Sequence, residues 1–131
     1  MSKPIKDERF KGIFVPILTP VDEEGRIDSA KLRKQVDYVI EHGVDGILAF
    51  GSNSEFYMFD DDEMIDATRE ILDETSGRVP VMFGIGHIRT SACIALAKRA
   101  AELDIDAISV LQPMFIKPTD QALYNHYAAI A

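Results

Sequence analysis

The stretch Gly46-Ile47-Leu48-Ala49-Phe50-Gly51-Ser52-Asn53-Ser54-Glu55 decides the reading of the chain. Five residues without a charge, too short for a buried helix, run straight into a polar turn, as expected of a strand covered on both faces. Three further runs share this character: Gly12 to Leu18, Val79 to Gly84 and Ala107 to Leu111. They begin roughly 30 residues apart, the size of a repeated strand-helix unit.

Between the runs the apolar period changes to that of a helix. Asp28 or Ser29 is expected to cap the first, with Leu32, Val36, Val39 and Ile40 on its buried face and Gly43 at its end. Asp60 with Glu63 reads as a capping pair opening the second, which buries Met64, Thr68, Ile71 and Leu72 and runs up to Gly77. Thr90 opens a third of small residues, and Thr119 caps a fourth through Leu123 and Tyr127 that still runs at Ala131. Pro80 stands at a strand start, where a missing donor costs little. The segment 43–48 is echoed weakly at 104–109, as two copies of one unit would be.

Alternating strands and helices define an α/β fold with a parallel sheet. A doubly wound sheet of flavodoxin type has about five strands, one more than this chain supplies. A (β/α)8 TIM barrel needs about 250 residues, so four units make half of one. The half-barrel is favoured because the chain stops inside its last helix. Residues 1–11 are expected to be an N-terminal extension and 12–131 the first half of the barrel domain. The first and fourth strands are then open edges, and Phe14, Leu48, Met82 and Val110 face inward without partners, so self-association is expected.

The 131 residues are 47% hydrophobic and 27% charged, ordinary for one folded domain. With 22 acidic against 14 basic residues the net charge is −8, which repels a phosphate backbone, and no basic patch opposes it. No nucleic-acid partner is expected. The one cysteine, Cys93, excludes a disulfide framework within the chain and reads as a small core residue. Neither a signal peptide nor a membrane span is expected, and a cytoplasmic location follows.

In either fold reacting groups gather at the carboxyl ends of the strands. Those ends hold Thr19, then Ser52 to Glu55, then His87 with Arg89, then Gln112 to Lys117. Successive N–H groups around Gly51, with the Ser52 and Asn53 side chains, suit a carboxylate. The alternative is a plain polar turn whose Glu55 accepts backbone hydrogen bonds. Gly84-Ile85-Gly86 lacks the third glycine of a dinucleotide loop. His87 has no expected partner and reads as structural or solvated. His42, in a last helical turn, and His126, within a helix, lack metal-ligand spacing, so no metal and no cofactor are expected. Lys117, beside Pro118, reads as a solvated amine rather than a Schiff-base former.

Four segments in order carry a resemblance: Leu18-Thr19-Pro20, Gly51 to Glu55, Arg78-Val79-Pro80-Val81, and Pro113-Met114-Phe115-Ile116-Lys117-Pro118 continuing to Tyr127. Together they resemble the dihydrodipicolinate synthase and N-acetylneuraminate lyase family of pyruvate-dependent class I aldolases, over nearly the whole chain from Gly12. The resemblance implies a lyase in which a lysine forms an imine with pyruvate or a related 2-keto acid. It implies substrate-binding roles for Ser52, Asn53 and Thr19, a proton-relay hydroxyl at Ser52, no cofactor, and a homotetramer. The relay tyrosine position is occupied by Phe115, which has no hydroxyl, while Met114 replaces another aromatic and Ser54 a glycine. Loss of the relay hydroxyl favours a sugar-acid aldolase or a catalytically altered relative over dihydrodipicolinate synthesis, and the alternative activity is that of a 2-keto-3-deoxy sugar-acid aldolase or N-acetylneuraminate lyase-like enzyme. The family's imine-forming lysine and second tyrosine belong to later strands, and Lys117 does not match that lysine, so the 131 residues alone are expected to be inactive. Two other classes compete: a small doubly wound binding module, and a non-catalytic relative kept for assembly.

Overall fold

In a computed structural model, residues 7–131 form four strands and four long helices in strict alternation. The strands are β1 (Phe14–Pro16), β2 (Gly46–Ala49), β3 (Val81–Ile85) and β4 (Ala107–Val110). The helices α1 (Ser29–Glu41), α2 (Asp61–Thr75), α3 (Thr90–Ala100) and α4 (Asp120–Ile130) each follow the strand of the same number.

Every neighbouring pair is parallel, and the sheet order is β1-β2-β3-β4. That order decides between the two architectures. A doubly wound sheet reverses its strand order and so places helices on both faces. Here the order advances in one direction, and right-handed crossovers then put all the helices on one face. Burial agrees: Ile47, Ala49, Val81, Phe83 and Ile85 are buried with Leu32, Val36, Met64, Ile71 and Leu96 in one core. Each of these side chains larger than alanine contributes about 1.5–3 kcal/mol on removal from water.

Phe14, Leu48 and Met82 lie on the opposite face and are only half buried, as expected of inward positions. Val110 is a correction. It pairs with Ile85 and therefore shares the helix-covered face, whereas Met82 pairs with Ala107 and Gly84 with Ser109. The inward residues of β4 are thus Ala107 and Ser109, because side chains alternate along a strand.

The helix ends follow their local chemistry. The Asp28 side chain accepts from the Lys31 N–H, Asp60 and Glu63 form a reciprocal capping box, and Thr119 accepts from the Ala122 N–H. α1 stops at Gly43, whose φ of 85° suits a residue without a side chain.

The repeated segment proves to be a clamp used twice. Asp45 accepts from the Ile13 N–H through Oδ2 at 2.7 Å while its own N–H donates to the Ile13 carbonyl at 2.9 Å. Asp106 does the same to Val81, at 2.9 Å in both bonds. Its second oxygen accepts from Arg9 at 2.6 Å, which holds residues 7–11 against the sheet.

Asp106→Ala strips the Val81 N–H of its acceptor at a partly buried site. It is expected to lower stability by about 1–3 kcal/mol, read as a shift in urea midpoint at constant slope. Asp45→Ala, at an exposed residue, is expected to cost less. Equal effects would contradict this assignment of the clamps.

Candidate active site

The carboxyl end of β2 is shaped by two residues with left-handed backbone. Phe50 has a φ of 54°, and its ring packs 5.8 Å from that of Phe83 in the core. The chain then makes a 3-10 turn over Ser52–Ser54 and reverses at Glu55, also at φ 54°. Ser54 closes this turn: its N–H donates to the Gly51 carbonyl at 3.1 Å and its buried hydroxyl donates to the same oxygen at 2.6 Å. The residue in the glycine position needs no glycine conformation, since the positive φ falls on Glu55 instead. The Glu55 carboxylate accepts none of the described hydrogen bonds; only its backbone takes part in the turn.

This arrangement leaves Ser52 and Asn53 exposed, with no side chain at Gly51 to cap the turn. The turn leans on β1, and a Cβ at Gly51 would meet the inward side chains Leu48 at 3.1 Å and Pro16 at 3.8 Å. It therefore rims the uncovered side of the sheet. Thr19, half buried beyond β1, follows Ile17, whose N–H donates to the Leu48 carbonyl.

Gly84 in β3 and Gly86 just after it make room for this rim. A Cβ at Gly84 would sit 2.1 Å from the Phe50 carbonyl oxygen and 3.0 Å from the Gly51 nitrogen. One at Gly86 would strike the Phe56 ring at 2.1 Å. The Gly84-Ile85-Gly86 spacing thus admits the neighbouring loop rather than a dinucleotide. Two glycines at the end of a buried strand were a legible sign of close approach.

Phe115 and Ser52 do not line the same cleft. Phe115 lies after β4 with φ 71° and is 93% exposed. Its ring borders a cleft of about 780 Å³ with Phe56, Met64, His87, Arg89 and Met114, and neither Ser52, Asn53 nor Thr19 lines that cleft. His87, expected to lack a partner, has one. Its Nε2 lies 2.7 Å from Asp61 Oδ1, a residue 26 positions earlier in the first turn of α2, too distant for any spacing rule to reveal.

The remaining candidates have structural places. Cys93 is buried and its Sγ donates to the His87 carbonyl at 3.0 Å; burial pushes the thiol up from its ordinary value. His126 is buried, with Nδ1 2.8 Å from Thr90 Oγ1, and so ties α4 to α3. His42 bonds the Tyr38 carbonyl through Nδ1 at 2.7 Å, at the end of α1. Lys117 is exposed on the loop before α4. Among the described residues no three His, Cys, Asp or Glu converge as a metal site, and no helix is long and apolar enough to cross a membrane.

A singly wound parallel sheet with one bare face, and a polar turn rimming that face at the strands' carboxyl end, is half of a (β/α)8 barrel. Residues 9–131 match the model of the Dihydrodipicolinate synthetase family, and the chain belongs to that family. It is 39% identical over 122 residues to the 4-hydroxy-tetrahydrodipicolinate synthase of Trichlorobacter lovleyi, covering 93% of this chain and 42% of that protein. The Bacillus subtilis protein of the same name is 33% identical over the same coverage. Among solved structures, the chloride-inhibited dihydrodipicolinate synthase of Acinetobacter baumannii complexed with pyruvate matches with a TM-score of 0.87 at 35% identity. That alignment covers 91% of this chain and 41% of that one. N-acetylneuraminate lyase from Mycoplasma synoviae gives 0.86 at 29%, covering 94% and 43%. The chain thus spans about 42% of the length of the curated relatives it matches. The resemblance carried by the four sequence segments holds, and so does the half-barrel.

Gly84→Ala drives a methyl group into the Phe50 carbonyl. It is expected to cost about 1–3 kcal/mol and to move the amide resonances of Ser52 and Asn53. Resonances left in place would show that β3 does not position the turn.

Proposed function

We propose that this chain supplies one wall of the active-site cup of a Schiff-base-forming lyase acting on pyruvate or a related 2-keto acid. The observation that carries the reading is the exposed Ser52–Asn53 turn, held at the mouth of the bare sheet face by Ser54 and by the space over Gly84. Its N–H groups and side chains take the substrate carboxylate, Thr19 stands beside them, and the Ser52 hydroxyl occupies the relay position. Residues 12–131 are the barrel half in this reading, and 1–11 its extension.

The chemistry needs an amine that attacks the keto carbon and expels water. The protonated imine then draws the electron pair of the adjacent carbon-carbon bond, and no cofactor is required. We assign that amine to no residue of this chain. Lys117, exposed on a loop, has neither the desolvation nor the inward placement that activates a lysine. These 131 residues therefore bind without turning over. A cytoplasmic homotetramer is the setting that we propose for the enzyme.

Phe115 favours a second, finer reading, a 2-keto-3-deoxy sugar-acid aldolase or N-acetylneuraminate lyase-like activity. A phenyl ring passes no proton, and the likeness to the Mycoplasma synoviae lyase is of the same order as that to the synthases.

Pyruvate with borohydride is expected to leave the mass of the 131-residue chain unchanged in mass spectrometry, while pyruvate alone shifts the Ser52 and Asn53 amide resonances. Acetone, which has the ketone but no carboxylate, should shift neither. A reduced adduct on any lysine would overturn the assignment of the amine; equal response to acetone would overturn the carboxylate site.

A further inference from the structure

The direction in which the Ser52–Asn53 turn offers its N–H groups is decided by what grips its carbonyls. A planar trans peptide aims its N–H and its carbonyl to opposite sides, so whatever holds one end aims the other. The Gly51 carbonyl accepts from the Ser54 N–H at 3.1 Å, and the Ser52 carbonyl accepts from the Glu55 N–H at 3.2 Å. The N–H groups of Ser52 and Asn53 are the far ends of those same two peptides. Neither donates to any of the described hydrogen bonds.

The first of these peptides is the freer to turn over. Gly51 precedes it, and a residue without Cβ resists such a rotation least. Its φ of −72° and ψ of −177° are ordinary extended backbone, so sterics alone do not fix the peptide that follows. Gly84 braces only the preceding peptide, by lying against the Phe50 carbonyl and the Gly51 nitrogen. The grip on the Gly51–Ser52 peptide falls to Ser54. Its hydroxyl, on a residue 2% exposed, donates to the Gly51 oxygen at 2.6 Å, closer than the backbone bond to the same atom. If the peptide rotated, this buried hydroxyl would lose its acceptor, and an unmade buried bond is costly. A glycine here, as the resemblance implies, would supply the N–H bond alone; the hydroxyl is an addition of this chain.

We infer, on the carboxylate reading of this turn, that Ser54 is a positioning residue for the substrate acid. Its hydroxyl keeps the Gly51 carbonyl turned toward Ser54 and thereby keeps the Ser52 N–H, with that of Asn53 beside it, turned the opposite way at the rim. A rotated Gly51–Ser52 peptide would put a carbonyl oxygen where the N–H stands and exchange attraction for an anion for repulsion. Ser54 thus acts on the acid without touching it.

The ligand-free chain tests the grip itself. Ser54→Ala keeps the N–H bond and removes the hydroxyl, and is expected to split or broaden the Ser52 amide resonance while the resonances of β3 stay in place. Ser54→Thr, which restores a hydroxyl, should return it to one sharp line. With pyruvate, Ser54→Ala should raise the Kd read from the Ser52 and Asn53 shifts by about 2- to 10-fold, the effect of one hydrogen bond. Ser54→Thr should raise it less. A purely structural role would instead lower the urea midpoint and leave the Kd unaltered. A single, unmoved Ser52 resonance in Ser54→Ala overturns the proposal, as does an unchanged Kd. If Ser54→Thr does not fold, Ser54→Gly takes its place as the second variant: it also lacks the hydroxyl, and pyruvate affinity equal to that of the unmodified chain would overturn the proposal. Pyruvate that moves neither Ser52 nor Asn53 in the unmodified chain would sink the carboxylate reading and the positioning role with it, whereas a failure of the grip alone shows in the ligand-free spectra.

Discussion

One constraint governs this molecule: a strand can return to a parallel neighbour only by a right-handed crossover, and here every crossover advances in the same direction. All four helices are thereby committed to one side of the sheet. The other side has no cover of its own, and the turns at the carboxyl ends of the strands are left to overlook it. Ser52 and Asn53 are exposed there because the topology leaves nothing to bury them.

The helix-facing side is ordinary core, dense in Ile, Val, Phe and Leu, and it makes the scaffold stiff enough to hold a strained turn. Phe50 and Glu55 both accept a backbone region that L-residues seldom occupy. Their neighbours fix them, the Phe50 ring through Phe83 and the Glu55 backbone through Ser52. The stability of the core is in this sense a precondition of the site's shape.

The elements were legible because each is marked by chemistry local to its own residues. The Asp60 and Glu63 pair, the Asp28 and Thr119 caps and the Gly43 stop act over three or four residues and read directly from the chain. The inward set of β4 was read one residue out of phase, since an apolar run such as Ala107 to Leu111 does not declare which parity faces in. The site was legible only where it is contiguous. His87 with Asp61, and Gly84 beneath Phe50, join residues that are adjacent only after the strands have paired. The spacing of Gly84 and Gly86 marks crowding by a neighbouring loop rather than a nucleotide loop.

Gly84 has a consequence for how this pocket can change over evolutionary time. Its contribution is an absence, so no replacement can tune it by degrees; every other amino acid intrudes on the same carbonyl oxygen. Under the proposed carboxylate role, divergence in the acid that is accepted is left to the side chains of Ser52, Asn53 and Thr19, with Gly84 held constant.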